Sequence, residues 1–387
     1  MPNLRSEWAG PIEFRQEALP PFAVLESQWR SLEAAAHPSF FTSWHWIGTF
    51  LAILPEASRP TLLRGSIRGE TVALALLGTR LVRRRHGLIR SRTLYLNETG
   101  DPGFDLTIEH NGLLVAGAHE QAAVDALTRW FSEQRTDADE LQISGSAQRL
   151  PERLVEERGL GRSEVAVPCY SVELCHLSAS DGALYPVLSS NARQQLRRAV
   201  RYFERLGRLE LKQATTLAEA HAFFAALKEL HSASWEMRGK PHSFTGAFFE
   251  PFHRLLIERS FPAGAIELLQ ATAGAHVIGY LYNFRLDDHV YAYQSGFAYG
   301  DRAARPGAVT HALAVRNAYR SGAAVYDFLA GHNRLKAAFS TRCELMLWQV
   351  IQQPRLALRL EHFARRVKHR VERPLFNLQW RKKMLLP

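Results

Sequence analysis

The apolar positions of this chain change period along its length, and each change marks an element. TLAEAHAFFAALKELHSASW (216–235) carries its apolar residues at helical spacing, with Thr215 or Thr216 placed to cap the first turn. TGAFFEPFHRLLIERS (245–260) reads as a second helix despite Pro251 near its start. Three runs rich in β-branched and aromatic residues follow: AIELLQAT, HVIGYLYNFR and HVYAYQSGF. Leu286-Asp287-Asp288 joins the last two as a hairpin. A helix over 307–321, the strand AVYDFLA, a short helix over 333–340 and the strand CELMLWQVIQ close the series, and the strand RLELKQAT (208–215) opens it. The order β-α-α-β-β-β-α-β-α-β predicts a mixed sheet with helices on both faces, an α/β fold of the α+β mixed-sheet kind.

The first half repeats this order more loosely. IEFRQEA, TLLRGSIR, TVALALLGTRLV, LIRSRTLYL, ELQISG and SEVAVPCYSVEL read as strands. FAVLESQWRSLEAAA, TSWHWIGTFLAIL, HEQAAVDALTRWFSEQ and AQRLPERLVEERG read as helices. Two copies of one fold in tandem account for this pattern. The predicted limits are 1–180 and 181–353, with the division at Ser-Ala-Ser-Asp-Gly (178–182) and a basic tail over 354–387. The helix SSNARQQLRRAVRYFERLG (189–207) opens the second copy.

Composition narrows the class. A chain of 387 residues is long for one core and favours two domains. The amino-terminal stretch has no apolar signal-peptide core, and no apolar run approaches the roughly 18 residues of a membrane span, so a cytoplasmic location is expected. The three cysteines, Cys169, Cys175 and Cys343, have neither disulfide-framework nor zinc spacing. No metal is expected. The net charge of +10 is uneven, because residues 355–383 hold ten Arg or Lys against two Glu. Leu356, Leu360, Phe363, Val367 and Val371 form an apolar stripe there. The tail therefore reads as a basic amphipathic helix suited either to its own domain or to peripheral contact with an anionic membrane.

The stretch RAARPGAVTHAL (302–313) carries the first sign of chemistry. A helix start leaves backbone N–H groups unpaired and a partial positive charge, and an anion placed there is stabilised by both. Gly307 and Ala308 allow close backbone approach, Pro306 suits the first helical position, and Arg302 and Arg305 add charge-assisted donors. The same turn is also ordinary strand-to-helix punctuation. The first half has DLTIEHNGLLVAGAHEQ at the corresponding place, with no Gly-rich turn directly before its helix. GxSxG, HExxH and Walker-type motifs are absent, which removes several hydrolytic and nucleotide-cleaving chemistries.

ARPGAVTHALAVRNAYRSGAAVYDFLAGHNRLKAAFS resembles the signature of the CelD-like branch of the GNAT acyltransferases, which is related to the Fem peptidyltransferases. SNARQQLRRAVRYFERLG and HSASWEMRGK resemble family segments as well. The resemblance covers about residues 189–350. Leu335 stands where a Tyr commonly precedes the lysine, and the three-glycine phosphate loop is missing. The resemblance implies tandem GNAT-like units, the second complete and the first degenerate. It also implies acyl-CoA, acetyl-CoA above all, as co-substrate, its pyrophosphate lying at Arg302, Arg305, Gly307 and Ala308. Lys336 matches a lysine implicated in the active site of the Fem relatives. Asp327 or His332, where GNAT sites open, would assist deprotonation of the amine, and Tyr293 would protonate the departing thiolate. Trp235, Arg238 and Gln294 would border the acceptor.

Three functions follow as expectations. The first is an acyl-CoA-dependent N-acyltransferase acting on a small-molecule or saccharide amine, in bacterial exopolysaccharide or envelope metabolism. The second is an aminoacyl-tRNA-dependent transferase, with the arginines at 193, 197, 198, 201, 205 and 208 on RNA phosphates. The third is a non-catalytic scaffold.

Overall fold

The computed structural model describes residues 10–84, 87–134, 137–177, 183–300, 304–358 and 361. The Ser-Ala-Ser-Asp-Gly boundary, Arg302 and nearly all of the amphipathic stripe lie outside them. The chain divides into two compact units, residues 1–166 with 346–387, and residues 167–345. These limits differ from the sequence-based ones at 180 and 353, because two strands each run from one unit into the other.

The first part of the chain forms β1 (Glu13–Glu17), α1 (Phe22–Glu33), α2 (Trp44–Ile53), β2 (Thr61–Ile67), β3 (Glu70–Arg84), β4 (Ile89–Leu96), β5 (Leu114–Val115), α3 (Glu120–Glu133), β6 (Glu140–Ser146), α4 (Glu152–Glu157) and β7 (Gly161–Glu173). Next come α5 (Ser190–Glu204), β8 (Leu209–Gln213), α6 (Leu217–Glu236), α7 (Phe249–Ser260), β9 (Ile266–Ala273), β10 (His276–Leu286) and β11 (His289–Phe297). The chain continues through α8 (Pro306–Arg320), β12 (Val325–Ala330), α9 (Arg334–Phe339) and β13 (Arg342–Gln352). β7 starts in the first unit and ends in the second, and β13 does the reverse.

The first unit orders its strands β1-β2-β3-β4-β6-β13. Among the described residues β4 and β6 form its one parallel pair, through Thr93↔Glu140, Leu94↔Leu141 and Tyr95↔Gln142. α3 lays Ala123, Val124, Leu127 and Phe131 onto this sheet in one apolar cluster with Leu77, Leu94, Leu141 and Ile351.

The second unit orders its strands β7-β12-β11-β10-β9-β8. Again one neighbouring pair is parallel, β11 with β12. α6 starts where Thr216 accepts a hydrogen bond from the Glu219 amide at 3.1 Å, which decides between the two possible caps. Pro251 falls in the first turn of α7, where its missing N–H costs little. Leu196 of α5 and Ala308, Ala314 and Val315 of α8 bury against Leu269, Leu281 and Val290 on one face. On the other face α6 and α7 set Phe224 and His253 against Tyr282, Phe284 and Tyr293. The two units thus repeat one element order, a mixed α/β fold in tandem.

Candidate active site

β11 and β12 pair only through His289↔Val325, Val290↔Tyr326 and Tyr291↔Asp327, although β11 continues to Phe297. Beyond Tyr291 the strands diverge. Ala292–Ser295 and Phe297 of β11 and Phe328 of β12 line the resulting cleft of about 810 Å³, together with parts of α5, α6, α8 and α9.

Irregularities in both strands shape this opening. Opposite β10, the register steps from Asn283↔Ala292 to Tyr282↔Gln294, so Tyr293 is the extra residue of a β-bulge. The bulge ends the alternation that would place Tyr291, Tyr293 and Ser295 on one face. Tyr293 packs near Phe284 and Phe249, with ring centroids 4.6 and 6.3 Å away, whereas Ser295 stands opposite Leu281 on the face covered by α8. The Ala298 N–H bonds to Ile278 O on β10, so Ser295, three residues earlier, turns its own N–H and C=O toward the edge that β12 has left.

β12 bulges as well. Its register against β7 slips between Asp327↔Ser171 and Ala330↔Cys169, and buried Leu329 takes a left-handed φ of 63°. Two side chains hold this strained residue. Asp327 Oδ1 accepts the Leu329 N–H at 2.6 Å, and the Lys336 ammonium donates to Leu329 O at 3.2 Å and Ala330 O at 2.9 Å. Asn333 caps α9 by accepting from the Leu335 amide, which sets the helix carrying Lys336.

The cleft side of α8 begins at Arg305, a left-handed residue with φ 53° that caps the helix by its backbone, followed by Pro306 at the first helical position. A Cβ on Gly307 would lie 3.1 Å from the Phe297 ring, so glycine keeps this turn against the cleft wall. The Arg305 guanidinium bonds to Gln195 of α5. Gly296 performs a similar service for α6, because a Cβ there would meet Leu227 O at 2.4 Å. That close approach lets His231 Nδ1 reach Ser295 O at 2.8 Å.

A carbonyl only accepts, so His231 Nδ1 carries the proton. Burial holds the imidazole well below its ordinary pKa, at about 4, despite the Ser295 bond, and the ring is neutral near pH 7. His311 is lowered further, to about 3, by burial and then by the positive Lys336 nearby, and its Nδ1 lies 3.2 Å from the Tyr326 hydroxyl.

The structure brings most of the sequence-predicted residues into this one cleft: Tyr293, Lys336, Arg305, Gly307, Ala308, Trp235, Arg238 and Gln294 all line it. Asp327 does not. It is buried, with its carboxylate on the Leu329 amide and 3.4 Å from both Cys169 Sγ and His289 Nε2. His332 is exposed and is not among the lining residues. Sequence reasoning passed over His231 and His311. The signal for His231 was a histidine four residues after Leu227 on the apolar stripe of α6, where a buried polar group needs a partner.

Residues 190–337 match the family described as acetyltransferase (GNAT) domain. The second unit is a GNAT-fold domain. The chain is similar in structure to FemX, with a TM-score of 0.58 at 11% identity over 90% of this chain and 99% of that one. It is also similar to the carboxy-terminal domain of a putative lysylphosphatidylglycerol synthetase from Agrobacterium fabrum, with a TM-score of 0.52 at 10% identity over 89% and 95% of the two chains. At these identities the likeness concerns the fold. No curated protein matches the chain. The acetyltransferase match thus falls within the second unit, and among the described residues no helix is long and apolar enough to cross a membrane.

Proposed function

We propose that the GNAT domain moves an acyl group, acetyl above all, from acyl-CoA to an amine by direct attack within the cleft between β11 and β12. The observation that carries this reading is the splay of that parallel pair beside the α8 start. It places an unpaired strand edge next to a helix N-terminus whose capping residue is an arginine. The lining residues suit a polyanionic thioester: Arg305, Gly307 and Ala308 for phosphates, and apolar Ala292, Phe297 and Phe328 for the carbon chain.

The chain's own residues need do little beyond this. As the C–N bond forms and the C–S bond breaks, the Ser295 N–H on the open edge donates to the acyl oxygen, a contact of the kind worth about 3 kcal/mol. Neutral His231 fixes the neighbouring carbonyl so that the edge does not shift. Lys336 holds the β12 bulge that sets Phe328 in the wall and presents a fixed positive charge to the cleft. In this reading the amine's proton leaves to solvent, and Tyr293, a lining residue of the cleft, gives one to the departing thiolate. The amine itself belongs to a small-molecule or saccharide acceptor in this reading.

Thermal unfolding with CoA, acetyl-CoA and longer acyl-CoAs tests the proposal. A ligand at about 100 times its Kd stabilises the folded state by about 2.7 kcal/mol, and Arg305→Glu should remove most of that gain. No shift with any thioester would overturn the acyl-CoA reading, and salt-sensitive binding of charged tRNA would replace it.

A further inference from the structure

The first unit carries a ribbon that outruns its neighbours. β2 pairs with β3 as far as Leu77, and β6 pairs with β4 from Thr93 onward, but β3 and β4 stay paired out to Arg84↔Ile89. Leu81–Arg84 with Ile89–Arg92 is therefore a two-stranded extension of four residue pairs, about 13 Å long. One face of it is fastened. The Arg84 guanidinium bonds to Glu140 of β6, and Glu140 Oε2 also accepts from Ser91 at 3.1 Å and Thr93 at 3.0 Å.

The other face is open. Leu81, Arg83, Arg90 and Arg92 are exposed, and the register sets Leu81 opposite Arg92 and Arg83 opposite Arg90. Like charges directly across a ladder destabilise it, so the Arg83–Arg90 pair works against the ribbon that carries it. Leu81 is 52% exposed, and Leu88, in the turn, is 87% exposed. Residues 80–92 contain six Arg and one His and neither Asp nor Glu. Protection of a strand edge against other chains would account for the arginines but not for the exposed leucines. A nucleic acid would use the arginines and leave Leu88 in water. Both residue types together match a charged layer with an apolar one beneath it, the profile of an anionic lipid surface.

We propose that the β3–β4 ribbon docks the protein on an anionic membrane, with Arg83 and Arg90 on lipid phosphates and Leu81 and Leu88 in the headgroup–acyl boundary. The basic tail continues from beside this ribbon, because Glu361 meets Arg84 at 3.4 Å. The inference goes beyond the acyltransferase reading and does not rest on it, since docking needs no acyl-CoA.

Co-sedimentation of the full chain with vesicles gives the answer, using phosphatidylcholine alone and an equal mixture of phosphatidylcholine and phosphatidylglycerol. Binding should require phosphatidylglycerol and should fall steeply in about 0.5 M salt. Arg83→Ser combined with Arg90→Ser should weaken partitioning by about 20-fold, on the order of fivefold for each arginine. Leu88→Ser should weaken it by about fivefold and leave the salt dependence in place. All three positions are exposed, so the variants should keep the wild-type Tm to within about 2 °C.

Equal binding to both kinds of vesicle, or to neither, overturns the proposal. So does vesicle binding that survives in the ribbon variants and disappears in Arg381→Ser/Lys382→Ser/Lys383→Ser, because the contact would then belong to the tail. Binding of tRNA that the arginine variant weakens and Leu88→Ser leaves unchanged, with no matching loss on vesicles, would replace lipid by nucleic acid. Failure of the acyl-CoA reading looks different. Acetyl-CoA would give no thermal shift, while phosphatidylglycerol vesicles would still separate the wild type from the ribbon variants.

Discussion

Each unit has one three-residue parallel contact, β4 with β6 in the first and β11 with β12 in the second, and the two treat the space beyond that contact differently. In the first unit β4 stops at Leu96, one residue past Tyr95. Asn97 then takes a left-handed φ of 57°. Its Oδ1 accepts from the Leu76 N–H, and its Nδ2 donates to Asn111 Oδ1 and Gly112 O. Asn111 donates back to Leu96 O through its side chain and to Gly145 O on β6 through its backbone. Two buried asparagines thus tie β3, β4 and β6 together where the second unit has an open strand edge. In the second unit β11 runs six residues past its last pairing, and the edge lines a cleft. One topology yields either a sealed joint or a site, and a few side-chain amides decide which.

The largest expected effect comes from breaking the seal. Asn97→Ala would strand the Leu76 N–H and the Asn111 amide in a buried setting and place Ala in a left-handed conformation, costing about 4 kcal/mol in the first unit. Hydrogen exchange resolved by segment should show β4 and β6 amides losing protection while β10 and β11 keep theirs. Equal loss in both units, or in neither, would mean that the asparagine network does not hold the joint.

A smaller effect sharpens the open side. Unfolded His231 titrates near 6.5 and folded His231 near 4, so between these values the unfolded chain binds the proton that the folded chain refuses. This histidine's share of stability is present above pH 6.5 and lost as pH falls toward 4, by about 3 kcal/mol in total. His231→Asn keeps a donor for Ser295 O without the titration. Its urea midpoint should therefore fall less steeply over that range than the wild type's. Parallel curves would show that His231 is not held neutral.

Much of this contrast lay within reach of the sequence. Periodicity located the strands and helices of both units to within a few residues, and the Arg-Pro-Gly turn marked the second unit's helix start as the different one. Two things had no local signal. The exchange of β7 and β13 depends on where a strand finds its partner, which residue types along the strand do not encode. The bulges at Tyr293 and Leu329 break an alternation that looks regular in VYAYQSGF and VYDFLA. They consequently change the meaning of the residues beside them: Asp327 turns inward to secure the kink, while Lys336, read as a site residue, both secures it and faces the cleft.

The smallest expected effect decides that reassignment. If Asp327 were a base, Asp327→Asn would lower acyl transfer by about 100-fold or more, as loss of a positioned proton acceptor does. If it is a clamp, the asparagine oxygen still accepts the Leu329 N–H. Activity should then stay within about threefold and stability within about 1 kcal/mol. Asp327→Ala removes the acceptor altogether and leaves the buried Leu329 amide unpaired at a strained φ, so it should cost about 2 kcal/mol and blur the cleft wall at Phe328. The pair of variants separates chemistry from scaffolding, because a base loses its function in both and a clamp only in the second. The first unit offers a related case in Asn97, itself left-handed, whose amide oxygen accepts the buried Leu76 N–H beside a parallel strand pair. An asparagine doing that work there is the physical reason to expect that one would serve at 327.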